Sequence, residues 1–137
     1  MALSLYSWTK ALIAADLFSK DARVLAFTSE GNTKTWPNYG AVSAAKAALE
    51  ALIRNMALEF ASLNIKTNAI QAGITETSSF KQIPGSDALR ANALARNPNQ
   101  RLTTPEDVAN VVALLCTDEA RWITGTVIKV DGGESLR

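Results

Sequence analysis

Tyr39 and Lys46 stand seven residues apart at the head of an alanine-rich helical stretch, and their side chains suit chemistry on a bound carbonyl compound. Seven residues is about two helical turns, which puts both on one face about 10 Å apart along the axis. A phenol donates a proton or hydrogen bond to a carbonyl, and an ammonium holds hydroxyl groups and lowers the pKa of a neighbouring phenol. That division of labour fits hydride-transfer chemistry. The spacing also arises by chance in a chain with several lysines, so its meaning depends on the elements around it.

Composition narrows the chemistry further. The sequence has no histidine and a single cysteine, Cys116. An internal disulfide, a multi-cysteine metal site, Ser-His and Cys-His dyads and most catalytic zinc arrangements are therefore excluded. Tyr, Lys, Ser, Asp and Glu are left as proton-transfer groups. The 14 basic and 13 acidic residues are interspersed, giving a net charge of +1 and no basic surface for nucleic acid or a membrane. Lys10, Asp16 and Lys20 interrupt the first 20 residues, so neither a membrane span nor a signal peptide fits and a cytoplasmic location is expected. At 137 residues and 47% apolar, the chain builds one core, and we read 1–137 as a single domain.

The elements that must position Tyr39 and Lys46 follow from periodicity. Leu5, Trp8, Leu12, Ile13 and Leu17 approach an amphipathic template and predict a core-packing helix over 3–20. Residues 23–28 form a short, mostly apolar run, read as a buried parallel strand that ends in a polar loop over 29–34. From Asn38 to about Ser62 the chain reads as the longest helix, with an unusually small-sided first half: Ala41, Ala44, Ala45, Ala47 and Ala48. A second strand is expected over 65–70, running into Gln71-Ala72-Gly73, where glycine permits positive φ or close backbone approach. Residues 74–101 look like a long excursion over a site, with a short helical pattern through Leu89 and Leu94. Thr104-Pro105-Glu106-Asp107 is a strong helix start, and that helix should end near Asp118. A third strand is expected over 126–130 before Asp131-Gly132-Gly133.

Helices alternating with strands require parallel pairing with helices on both sheet faces, so the fold class is α/β. The strand at 23–28 would then lie at an exposed edge although its side chains suit burial on both faces. We therefore expect a longer natural chain or a homo-oligomer, dimer or tetramer, that covers it.

Four separated segments together resemble the short-chain dehydrogenase/reductase superfamily, and within it the enoyl-[acyl-carrier-protein] reductases. These are the strand ending at Ser29, the Tyr39-x6-Lys46 helix with its Ala-Lys-Ala-Ala-Leu-Glu continuation, Thr67 to Gly73, and Gly125 to Gly133. In the commoner dehydrogenases the tyrosine precedes the lysine by four residues, a position held here by Val42, whereas the enoyl reductases have the seven-residue spacing. The resemblance covers the C-terminal half only. It implies the C-terminal part of a Rossmann-type, doubly wound parallel sheet of three strands with flanking helices, lacking the N-terminal glycine-rich βαβ unit.

The resemblance also implies roles. Tyr39 would bond the thioester carbonyl of an enoyl substrate linked to acyl carrier protein or coenzyme A, stabilising the enolate formed as hydride arrives. Lys46 would hold the ribose hydroxyls of NADH or NADPH, Ala72, Gly73 and Ile74 would line the nicotinamide, and Thr77 would lie near the pyrophosphate. Residues 75–97 match the substrate loop, whose Phe80, Ile83 and Leu89 either line an acyl path or pack beneath a lid. Ser29 occupies the place of a second family tyrosine, but it also lies thirteen residues before Val42, the register of the dehydrogenases' catalytic serine. It is either a donor to substrate or a strand-end cap. Asp131 reads as part of a turn packing the last strand. No Gly-x-Gly-x-x-Gly turn occurs anywhere in the sequence, so NAD(H) binding by this chain alone is expected to be weak. The alternatives are a related enzyme acting on a ketone or alcohol, and a non-catalytic assembly domain derived from such an enzyme.

Overall fold

The computed structural model describes residues 2–137. In chain order the elements are α1 (Ala2–Ala14), β1 (Ala22–Thr28), α2 (Gly40–Glu59), β2 (Ile65–Ala72), α3 (Ser78–Lys81), α4 (Ser86–Arg96), α5 (Pro105–Leu115) and β3 (Val127–Val130). The strands form one parallel sheet in the order β1-β2-β3, with Ala22 opposite Ile65, Thr28 opposite Gln71, and Ala69 opposite Val127. All three strands therefore carry their C-terminal ends to the same side of the molecule. In open α/β sheets that side holds the ligand.

Both faces of the sheet are covered, as the alternation requires. On one, α1 and α2 bury Leu49, Ile53, Met56 and Phe60 against Val24, Ala26, Ile65 and Ala69. The small side chains of β2 let α2 come close enough for Thr67 Oγ1 to donate to the Ile53 carbonyl at 2.9 Å. On the other face α5 lays Val108, Val111, Val112 and Leu115 over Ile70, Leu25 and Ile128. Its start lies where expected and is closed by a capping box: Thr104 Oγ1 accepts from the Asp107 N–H, and the Asp107 carboxylate accepts from the Thr104 N–H.

α1 departs from expectation. It stops at Ala14 because Asp16 adopts a left-handed φ of 54°, which folds Phe18 back into the core. Leu5 and Ile13 pack inward, whereas Trp8, Leu12 and Leu17 are exposed. Only part of the apolar stripe is core, since α1 rests on α2 and no other described element covers its outer side. α2 begins at Gly40, two residues later than expected, leaving Tyr39 at the N-cap position.

Among the described residues β1 pairs only with β2, so its outer edge is free. The α5 face is also the thinner one. Phe27 is 52% exposed and, with Thr75, Thr77, Pro105, Val108, Ala109, Val112 and Ala113, borders an open apolar groove of about 510 Å³.

Candidate active site

The carboxyl end of β1 gathers three side chains of the expected site. Tyr39 Oη lies 3.4 Å from Ser29 Oγ, and either hydroxyl can donate to the other. Two turns along α2, Lys46 Nζ donates to the Phe27 carbonyl at 2.7 Å. Burial lowers the pKa of the Lys46 ammonium, and the charge of Glu50, one turn further on, opposes that shift. Tyr39 and Lys46 thus converge on two residues, Ser29 and Phe27, at the end of one strand.

The tyrosine is held by residues that spacing alone did not mark. Its ring lies against Gly31, where an added Cβ would stand 2.2 Å from Tyr39 Cε1. Trp36 meets it edge-on with ring centroids 5.5 Å apart. Beneath them Glu50 is buried, and its Oε1 accepts from both Thr28 Oγ1 and Asn32 Nδ2 at 2.6 Å. One carboxylate therefore ties together Thr28, just before Ser29, and Asn32, three residues after it. The legible signal for Glu50 was a carboxylate four positions after Lys46; Gly31 lay unremarked in a polar loop.

At the end of β2, Gly73 N–H continues the ladder to the Val130 carbonyl at 3.1 Å. Gly73 is required by close approach rather than positive φ: an added Cβ would stand 2.5 Å from Thr103 Oγ1 and 2.8 Å from Glu134 Oε2. Ile74 donates its N–H to that same Glu134 oxygen at 3.1 Å. Thr77 is exposed at the N-cap of α3, where its hydroxyl oxygen accepts from the Phe80 N–H at 3.1 Å, and it borders the groove beside Phe27. Phe80 is buried and Ile83 is exposed.

Asp131 sits in a turn. Its carboxylate accepts the N–H groups of Gly133 at 3.0 Å and Ser135 at 3.2 Å. Burial alone would raise its pKa, but hydrogen bonds from Ser135 and Gly133 outweigh that and hold it below the usual carboxylate range.

A parallel, helix-flanked sheet is the fold expected of the short-chain dehydrogenase/reductase class, and Ser29, Tyr39 and Lys46 meet at its carboxyl edge. The family model for enoyl-(acyl carrier protein) reductase matches residues 1–135. The chain belongs to that family. It is 35% identical over 137 residues to the enoyl-[acyl-carrier-protein] reductase [NADH] 2 of Rhizobium meliloti, with 99% of this chain and 51% of the relative covered. Among solved structures it resembles the enoyl-[acyl-carrier-protein] reductase (NADH) of Aquifex aeolicus, with a TM-score of 0.91, 32% identity, and coverage of 99% of this chain and 52% of that one. A 7α-hydroxysteroid dehydrogenase solved with NADH and 7-oxo glycochenodeoxycholic acid is similar at a TM-score of 0.85 and 29% identity over 96% of this chain and 51% of the other. The chain spans about half the length of the curated relatives it matches.

Proposed function

We propose that the chain supplies the substrate-contacting and nicotinamide-contacting residues of an NAD(P)H-dependent enoyl-thioester reductase, acting in fatty acid synthesis on acyl chains carried by acyl carrier protein or coenzyme A. The observation that carries this reading is the convergence of Tyr39, Ser29 and Lys46 on the end of β1 at the enoyl-reductase spacing.

The donor set fits the nicotinamide half of NAD. Lys46 offers an ammonium to ribose hydroxyls, and the Thr77 hydroxyl, whose oxygen accepts from the Phe80 N–H, still carries a proton to donate. When bound, the nicotinamide supplies the hydride. Tyr39 then donates a hydrogen bond to the thioester oxygen as negative charge develops there; removing one such donor costs roughly 100- to 1,000-fold in rate. The excursion carrying Phe80 and Ile83 shields the site from water.

The test is NADH oxidation with a crotonyl thioester, by this chain and by a version extended upstream where the source DNA encodes more. We expect Tyr39→Phe to remove at least about 100-fold of any activity without altering the unfolding midpoint. Reduction by the Tyr39→Phe variant at the parent rate would refute the assignment.

The Ser29–Tyr39 contact and the likeness to a hydroxysteroid dehydrogenase favour one second reading, a ketone or alcohol as substrate. Ser29→Ala separates the two, since it should abolish ketone reduction and spare enoyl reduction. No helix of the described residues is long and apolar enough to cross a membrane, which accords with the proposed cytoplasmic location. The exposed alanines of α2 (Ala41, Ala44, Ala47 and Ala48) with Leu58, and Trp8 of α1, support assembly into a homo-oligomer.

A further inference from the structure

Glu134 is 2% exposed and uses both carboxylate oxygens on segments far apart in sequence. Oε2 accepts the Ile74 N–H at 3.1 Å, at the start of the excursion, and Oε1 accepts Arg96 Nη2 at 2.9 Å, at its end. Arg96 carries the connection onward. Its Nη1 and Nη2 reach the two oxygens of Glu30 at 2.5 and 3.2 Å, and Glu30 is the residue after Ser29. Lys34 adds a second cation on Glu30 at 2.7 Å, so two carboxylates and two cations balance. The Glu134 carboxylate lies so close to Gly73 that only glycine leaves it room.

We propose that Glu134 is a positioning residue: with Arg96 and Glu30 it forms a tie that fixes the Gly73–Ile74 backbone against the Ser29–Tyr39 ledge and roots both ends of the 74–97 excursion. The inference rests on the reading of Gly73 and Ile74 as cofactor-facing. It assigns the two roots of that excursion to one buried side chain.

Ile74 provides a single-residue reporter, because its amide donates to Glu134 rather than to the sheet ladder. Amide hydrogen exchange is measured by NMR on the 137-residue chain and on Glu134→Met, Arg96→Met and Arg96→Lys. Glu134→Met should speed Ile74 exchange by about tenfold or more while Ala69 and Ile70, interior to β2, stay unchanged. Arg96 does not touch Ile74, so faster Ile74 exchange in Arg96→Met, largely restored in Arg96→Lys, reads the tie itself. Two results overturn the proposal: Ile74 exchange unchanged in Arg96→Met, or equal acceleration at Ala69 and Ile70, which marks a loss of general stability. Should Glu134→Met not fold, Glu134→Gln keeps one accepting oxygen and must release either Ile74 or Arg96; protection retained at both sites would equally refute the tie. The measurement uses neither cofactor nor substrate. Its failure leaves the reductase reading intact, and failure of that reading in the crotonyl assay leaves the tie standing.

Discussion

At Gly31 the absence of a side chain does as much as any functional group, because the Tyr39 ring occupies the space a Cβ would need. Gly31→Ala should push the ring off Ser29 and Trp36, seen as altered near-ultraviolet circular dichroism and at least about a tenfold loss of any reductase activity, since a displacement of about 1 Å can cost far more. Parent-like spectra and rate would show that the ring has room to spare. Glu50 offers a cleaner separation of roles. Both of its bonds land on Oε1, so Glu50→Gln retains them while removing the charge near Lys46. The lysine pKa, followed by NMR, should then fall further, because only the opposing influence has gone. Glu50→Met instead strands Thr28 and Asn32 and should lower stability by about 2 kcal/mol in denaturant titration. Sequence spacing marked Tyr39, Lys46 and Ser29, which the structure gathers at the end of β1; it missed Gly31 and Glu134 because their partners are apposed only by tertiary packing.

At the scale of elements, local signals were most legible where one physical cause dominates. The Thr104–Asp107 capping box is written in four consecutive residues, and β1 and β3 announce themselves as short, mostly apolar runs stopped by polar or glycine-containing turns. Helix α1 was overextended because an apolar stripe says nothing of the left-handed turn at Asp16 or of which side finds a partner. The attachment of α4 to the loop after β1 was equally hidden, since Arg96 and Glu30 lie 66 positions apart. That attachment predicts an acid response. Burial works to raise the Glu30 pKa, but hydrogen bonds from Arg96 and Lys34 outweigh it, so the folded value lies below the ordinary 4.5. A depressed carboxylate contributes stability above its unfolded pKa and loses it as pH falls through the folded one. Stability measured by denaturant between about pH 6 and about pH 3 should therefore drop less steeply in Glu30→Gln than in the parent. Identical slopes would mean that the pair contributes nothing to folding.

For the molecule as a whole, the three-stranded sheet comes with no glycine-rich turn of the kind that grips a pyrophosphate anywhere in the sequence. We expect calorimetric titration of this chain with NADH to show no binding at micromolar concentration; a micromolar dissociation constant would mean that the groove beside Phe27 grips more of the cofactor than Lys46 and Thr77 alone. The α/β class was legible from alternation, and the free outer edge of β1 from its place in the order of elements. That edge carries a liability. The outer edge of this seven-residue strand, beside the half-exposed Phe27, is a template on which other chains can polymerise. Concentrated solutions of the isolated chain should accordingly turn turbid and bind amyloid dyes, and Phe27→Lys, a charged gatekeeper on that strand, should delay both.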